Sequence, residues 1–155
     1  EYLRNEHSDS GAVVDYENWQ LPLGRRFRAL KLWFVLRRFG QEGIVNHVRS
    51  GITYRKAVEE MIKNDAGLFE LAAPPSLSLV CFRLKGRAEQ DQLELLDRVK
   101  KTGECFIIHT RLGGEVVLRF ACGGVEQTLA DVKQAWGVIS NEAAKMDARE
   151  GSREV

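Results

Sequence analysis

Side chains capable of chemistry are few in this chain, and they cluster near its start. Tyr2 opens a polar stretch that continues through Ser8, Asp9, Ser10 and Gly11. A phenol with a reference pKa of about 10 keeps its proton at neutral pH and can deliver it to a strongly basic atom. From Tyr2-Leu3 alone, the tyrosine reads as an exposed loop residue. Arg25, Arg26 and Arg28 form the densest cationic run. Arginines at the start of a helix suit carboxylate or phosphate. These three fall on different faces within one turn, so no more than two can converge on one anion. Ion pairing with another part of the protein or with a partner is the simpler use. His7, His47 and His109 stand singly, and the three cysteines, Cys81, Cys105 and Cys122, have no C-x-x-C spacing. No metal site is expected, and the thiols read as reduced, as in a cytoplasmic protein.

The elements that must position these groups begin with Trp19–Gly40, WQLPLGRRFRALKLWFVLRRFG. Pro22 suits a first helical turn and Gly40 the position past an end. Phe27, Leu30 and Phe34 fall at helical spacing, and Leu32, Val35, Leu36 and Phe39 widen the apolar surface, so more than one side is expected to be covered. Six cations and no acid accompany them: Arg25, Arg26, Arg28, Lys31, Arg37 and Arg38. A short helical stretch over 44–49 follows. Tyr54, Ala57, Val58, Met61 and Ile62 then mark an amphipathic helix ending near Asn64. The three pieces could make one nearly continuous helical passage.

Beyond Gly67 the pattern becomes mixed. Strands are expected over 69–72, 77–85, 105–112 and 115–122, with Pro74-Pro75 breaking the first. Gly113-Gly114 marks a hairpin, since that turn needs positive φ. A helix over 88–101 carries Leu93, Leu96 and Val99 on one side and stops at Gly103. Thr128 with Asp131 is a capping-box-like start, and Leu129, Val132, Trp136, Ile139, Ala143 and Met146 mark a last amphipathic helix. The hairpin would place Cys105 opposite Cys122, read as buried thiols rather than a disulfide. Trp19, Trp33 and Trp136 read as core or interface aromatics. Together these elements predict an α+β unit: a helical linker, then a small, mainly antiparallel sheet with helices packed on one face. The division expected is a loop and its approach over 1–20, a helical linker over 21–64, a small α+β domain over 65–147 and a frayed tail over 148–155.

At 155 residues, 44% hydrophobic and 29% charged, the composition is that of an ordinary globular domain. A net charge of +1 gives no case for nucleic acid or an anionic membrane. The longest apolar run, Leu32–Leu36, is far too short to span a bilayer.

Several blocks then agree in order and spacing with one family. LGRRFR-LK-WF over 23–34, preceded by Tyr2-Leu3, Asp9-Ser10-Gly11, Asp15-Tyr16 and Trp19-Gln20, resembles the pyridoxal-phosphate-dependent aromatic-L-amino-acid decarboxylases. This group also holds histidine and tyrosine decarboxylases. LVCFRLK over 79–85 and VLRF over 117–120 match two later strands of that family. The resemblance implies the C-terminal third or so of a fold-type-I enzyme. The Schiff-base lysine and most contacts to pyridoxal 5'-phosphate would lie upstream, with no cofactor ligand assigned in this stretch. The chain alone is therefore expected to be inactive.

The resemblance also assigns roles. Tyr2 would be the catalytic acid that protonates Cα after CO2 departs, from a loop that closes over the substrate. Members with phenylalanine there tend towards oxidative aldehyde formation. Gly24, otherwise a turn glycine, would lie at the substrate ring, with Leu23 beside it. Glycine in place of serine leans towards bulky rings such as those of dopa, tryptophan or hydroxytryptophan, and against histidine, within an expected activity on aromatic L-amino acids of dopa, tryptophan or tyrosine type. The intact enzyme would be a cytoplasmic homodimer with no membrane or nucleic-acid partner, and Tyr2 and Gly24 would serve the partner's site. The alternatives are a histidine decarboxylase of the same family and a non-catalytic dimerisation or interaction module. Nothing is carried onto His7 or His109.

Overall fold

In the computed structural model, residues 10–11 and 27–151 are described, with side chains through Ala148. The chain forms two compact units, 1–40 and 41–155. Helix α1, Arg28–Asn64, runs from one into the other and is kinked at Gly40. The expected helical passage is thus real, and Gly40 ends a helix locally without ending the element. From Phe27 to Phe39 every residue is exposed; burial begins only after the kink, at Gly51, Val58 and Ile62.

The second unit is an antiparallel sheet backed by helices. Its strands are β1 (Phe69–Leu71), β2 (Leu79–Leu84), β3 (Ile108–Leu112) and β4 (Glu115–Ala121), in the order β1-β2-β4-β3. Helix α2 spans Glu89–Thr102 and α3 spans Leu129–Gly151. This is the α+β architecture read from the sequence. Strand β2 alternates strictly, with Val80, Phe82 and Leu84 buried, as a half-buried strand must. Gly113 and Gly114 have φ 59° and 90° and join β3 to β4 with Leu112 opposite Glu115.

One core unites the layers: Val58 and Ile62 of α1, Phe69, Phe82 and Phe120 of the sheet, Leu95 and Val99 of α2, and Trp136 and Ile139 of α3. Phe69, Phe82 and Trp136 form an aromatic triangle with centroid separations of 4.9 to 5.8 Å, each tilted pair contributing about 0.5–1.5 kcal/mol beyond area burial. The α2 stripe differs from expectation. Its buried face is Gln92, Leu95, Leu96 and Val99, and Leu93 is exposed. Gln92 is tolerated in the core because its amide satisfies both backbone groups of Leu84, accepting from its N–H at 2.8 Å and donating to its carbonyl at 3.0 Å.

Two polar devices fix the helix ends. Thr128 and Asp131 form the capping box, with the Thr128 N–H donating to Asp131 Oδ2 at 2.8 Å and the Asp131 N–H to Thr128 Oγ1 at 3.3 Å. Where α1 ends, Asp65 Oδ2 accepts from Trp136 Nε1 at 3.2 Å and from Ser140 Oγ at 3.0 Å. That carboxylate ties α1 to α3.

Candidate active site

Tyr2, Leu23 and Gly24 lie outside the described residues, as do His7, Arg25 and Arg26. Arg28 is the first residue of α1 and is exposed, and no acid occupies that first turn. Lys31, Arg37 and Arg38 are exposed too, with the Arg37 guanidinium 5.9 Å from the centre of the Trp33 ring. Around them the large apolar side chains from Phe27 to Phe39 stand in the open, Phe27 at 73% and Leu32 at 61% exposure. A cationic helix with apolar residues on all sides needs covering surfaces, and its charges need carboxylates or phosphates.

Among the described residues of the sheet unit, two of the clefts are small. One, of about 140 Å³, is lined by Leu68, Lys85, Arg87, Asp91, Met146 and Asp147. Of its two cations, Arg87 is already engaged, pairing with Asp147 at 2.5 Å. The other, of about 150 Å³, lies where α1 crosses the ends of β2 and β4, with His47, Gly51, Leu77, Ser78 and Cys122 on its walls. Both fall well below the roughly 300–1,000 Å³ of a site that encloses a drug-sized ligand. Neither fits pyridoxal 5'-phosphate with an aromatic amino acid.

The titrating groups described are structural. Burial pushes the Cys122 thiol up to about 11, opposed by Arg55. Burial also raises Cys105, reinforced by Glu104. Both are protonated at neutral pH and poor nucleophiles. Cys105 does not join the β3–β4 ladder, which stops at Ile108 opposite Arg119; its thiol donates to the Ala135 carbonyl at 3.9 Å. All three cysteines are free. His109 is exposed on β3, opposite Leu118. Glu70, Arg83 and Glu115 form ion pairs across β1, β2 and β4. Among the described residues, no three His, Cys, Asp or Glu side chains group as metal ligands.

Comparison with known proteins decides the family. Residues 1–85 match the pyridoxal-dependent decarboxylase conserved domain. The chain belongs to this family. A tryptophan decarboxylase from Camptotheca acuminata is 43% identical over 150 residues, covering 92% of this chain and 30% of that protein. A phenylacetaldehyde synthase from Arabidopsis thaliana is 42% identical over 150 residues, covering 93% and 30%. The chain thus spans about 30% of the length of these relatives. Among solved structures, Oryza sativa tryptophan decarboxylase with PLP and tryptamine superposes with a TM-score of 0.75 at 38% identity, over 94% of this chain and 32% of that one. The fold extends further: mouse CSAD gives a TM-score of 0.70 at 21% identity, over 83% and 30%.

The wider decarboxylase family therefore supplies the scaffold. Sequence reading missed Gly51, Asp65 and Gln92, which hold the scaffold together. Only Gln92 carried a signal, its i, i+3, i+4, i+7 spacing with Leu95, Leu96 and Val99.

Proposed function

We propose that this chain is the C-terminal part of a pyridoxal-phosphate-dependent carboxy-lyase that converts aromatic L-amino acids to amines. The observation that carries this reading is sequence likeness across nearly the whole chain to enzymes named as aromatic amino-acid decarboxylases. Pyridoxal 5'-phosphate supplies the electron sink that makes loss of the α-carboxylate feasible. Neither of the two clefts described above fits it, and in this reading its binding falls mainly to the remainder of the protein. In this reading residues 1–20 form the loop and its approach, 21–64 the helical linker and 65–147 the small domain, with 148–155 the tail.

Tyr2 is the proton donor of this proposal. Its phenol delivers a proton to Cα once CO2 has left, and a closing loop keeps water and dioxygen away. Gly24 leaves room beside the substrate ring and Leu23 borders it, which favours dopa, tryptophan or hydroxytryptophan over histidine. The exposed apolar and cationic half of α1 supports a homodimer in which both residues serve the partner's site. Among the described residues no helix is long and apolar enough to cross a membrane; a cytoplasmic enzyme without nucleic-acid partners is the reading adopted.

One observation favours a second reaction. The likeness to phenylacetaldehyde synthase, 42%, is as strong as that to the tryptophan decarboxylase, 43%. Scaffold identity therefore does not separate amine from aldehyde formation; Tyr2 is the feature that favours the amine. The test is release of labelled CO2 by the purified full-length protein from carboxyl-labelled L-tryptophan, L-dopa and L-histidine. Release from the first two is expected. Release from histidine alone would overturn the substrate assignment, and none from any would leave an interaction module.

A further inference from the structure

The sheet ends in two edges, β1 and β3, and they are built differently. Strand β1 has three residues and runs on to Pro74-Pro75. Shortness and proline are two of the devices that keep an edge from pairing with another chain. Strand β3 has neither. Ile108–Leu112 contains no proline, lysine or acid, and its five pairs with β4 run without a bulge. Its arginine is neutralised within the chain, since Arg111 donates to both carboxylate oxygens of Glu89, at 2.5 and 3.0 Å. Ile108 and Leu112 are 40% and 39% exposed.

The hairpin also decides where the backbone of β3 points. Leu112 and Glu115 flank the Gly113-Gly114 turn, so they exchange both hydrogen bonds, as do Thr110 with Val117 and Ile108 with Arg119. The N–H and C=O groups of His109 and Arg111 therefore face away from β4. Among the described residues no hydrogen bond from another element reaches them. We propose that β3 pairs antiparallel with β3 of a second copy of this chain, about a two-fold axis at Thr110. The register selects that occupant. His109 lies opposite Arg111 of the second copy, and the outward backbone groups of both are satisfied. Ile108 then meets Leu112, and Thr110 meets Thr110, two favourable cross-strand pairs on the face away from α2. The strand is complementary to itself, as a two-fold contact demands. This pairing is independent of the reaction proposed above.

A five-residue strand pair lies at the weak end of interfaces, so the test traps it. The Cα atoms of the two Thr110 residues would stand about 4.5 Å apart, as in any non-hydrogen-bonded antiparallel pair, within reach of a disulfide. Thr110→Cys in the full-length protein, mildly oxidised, is expected to give a dimer linked through position 110, identified by peptide mass spectrometry. His109→Cys is expected to give none, because two copies of position 109 stand out of register. His109→Pro removes one outward N–H and leaves the β3–β4 ladder intact. Added to Thr110→Cys, it is expected to abolish the link, with hydrogen exchange of the β2 and β4 amides unchanged. Absence of a link through position 110 overturns the proposal. So does a link that forms equally through position 109, or one that survives His109→Pro. Should His109→Pro speed exchange in the sheet, the comparison of positions 110 and 109 decides alone.

Discussion

Tyr2 carries the chemical weight of the proposed function, because the scaffold is shared between amine- and aldehyde-forming relatives. Tyr2→Phe in the full-length protein should lower amine formation by about 10²–10⁴-fold, with aldehyde replacing it when dioxygen is present. Chromatography of the products checks this, and undiminished amine would remove Tyr2 from the mechanism. Gly51 matters for a different reason. A Cβ there would stand 2.6 Å from the Cys122 carbonyl oxygen and 3.0 Å from Ser78 Cβ. Backbone cannot give way as a flexible side chain does, so Gly51→Ala should destabilise the fold by about 1–3 kcal/mol, read as a lower denaturation midpoint. Neither role was equally visible in the sequence. Tyr2 stood out by its place in a run of family blocks, whereas Gly51 looked like one more helix glycine. Its constraint comes from residues more than twenty positions away in the chain, and one-dimensional spacing does not encode that approach.

The elements were legible wherever a local pattern and a local terminator agreed. Strand β2 alternates over six residues, the Gly113-Gly114 turn forces its hairpin, and Thr128 with Asp131 starts α3. Legibility failed where tertiary contact overrode the pattern. Leu93 gave way to Leu95 on the buried face of α2, because Gln92 takes a core position to satisfy the end of β2. Strand β3 begins at Ile108, not Cys105, because the preceding residues leave the ladder. The cap and two ion-paired carboxylates also contribute to the acid dependence of stability. Hydrogen bonds from the Thr128 N–H and hydroxyl hold the Asp131 carboxyl below its ordinary value. A hydrogen bond from Lys145 does the same for Glu142, and one from Lys63 for Glu59. Groups whose folded pKa is depressed stabilise the fold above their unfolded pKa, and that contribution disappears as pH falls through the folded value. Melting temperature should therefore be flat near neutrality with respect to these groups and decline below about pH 4. The acid limb should be shallower in Asp131→Asn. A limb of unchanged slope would mean that the cap contributes nothing to it.

Taken whole, the chain combines a closed core in one unit with an uncovered apolar helix in the other. The sheet unit satisfies its own polar groups, and among the described residues no buried side-chain nitrogen or oxygen lacks a partner. The first half of α1 instead leaves Leu32, Trp33, Phe34 and Leu36 about half exposed, beside cations that call for anionic partners. This contrast is what a segment built to sit within a larger assembly would show. It agrees with a chain that spans about 30% of its relatives. Sequence reading reached this arrangement because an apolar girth with six cations cannot be satisfied by one small domain. The chemistry of residues 1–26 was reached through family likeness instead. The most direct test of the account is the product formed by the full-length protein, supplied with pyridoxal 5'-phosphate, from L-tryptophan in air. Tryptamine released in equal amount to CO2 is the predicted result; indole-3-acetaldehyde as the main product, or no CO2, would contradict it.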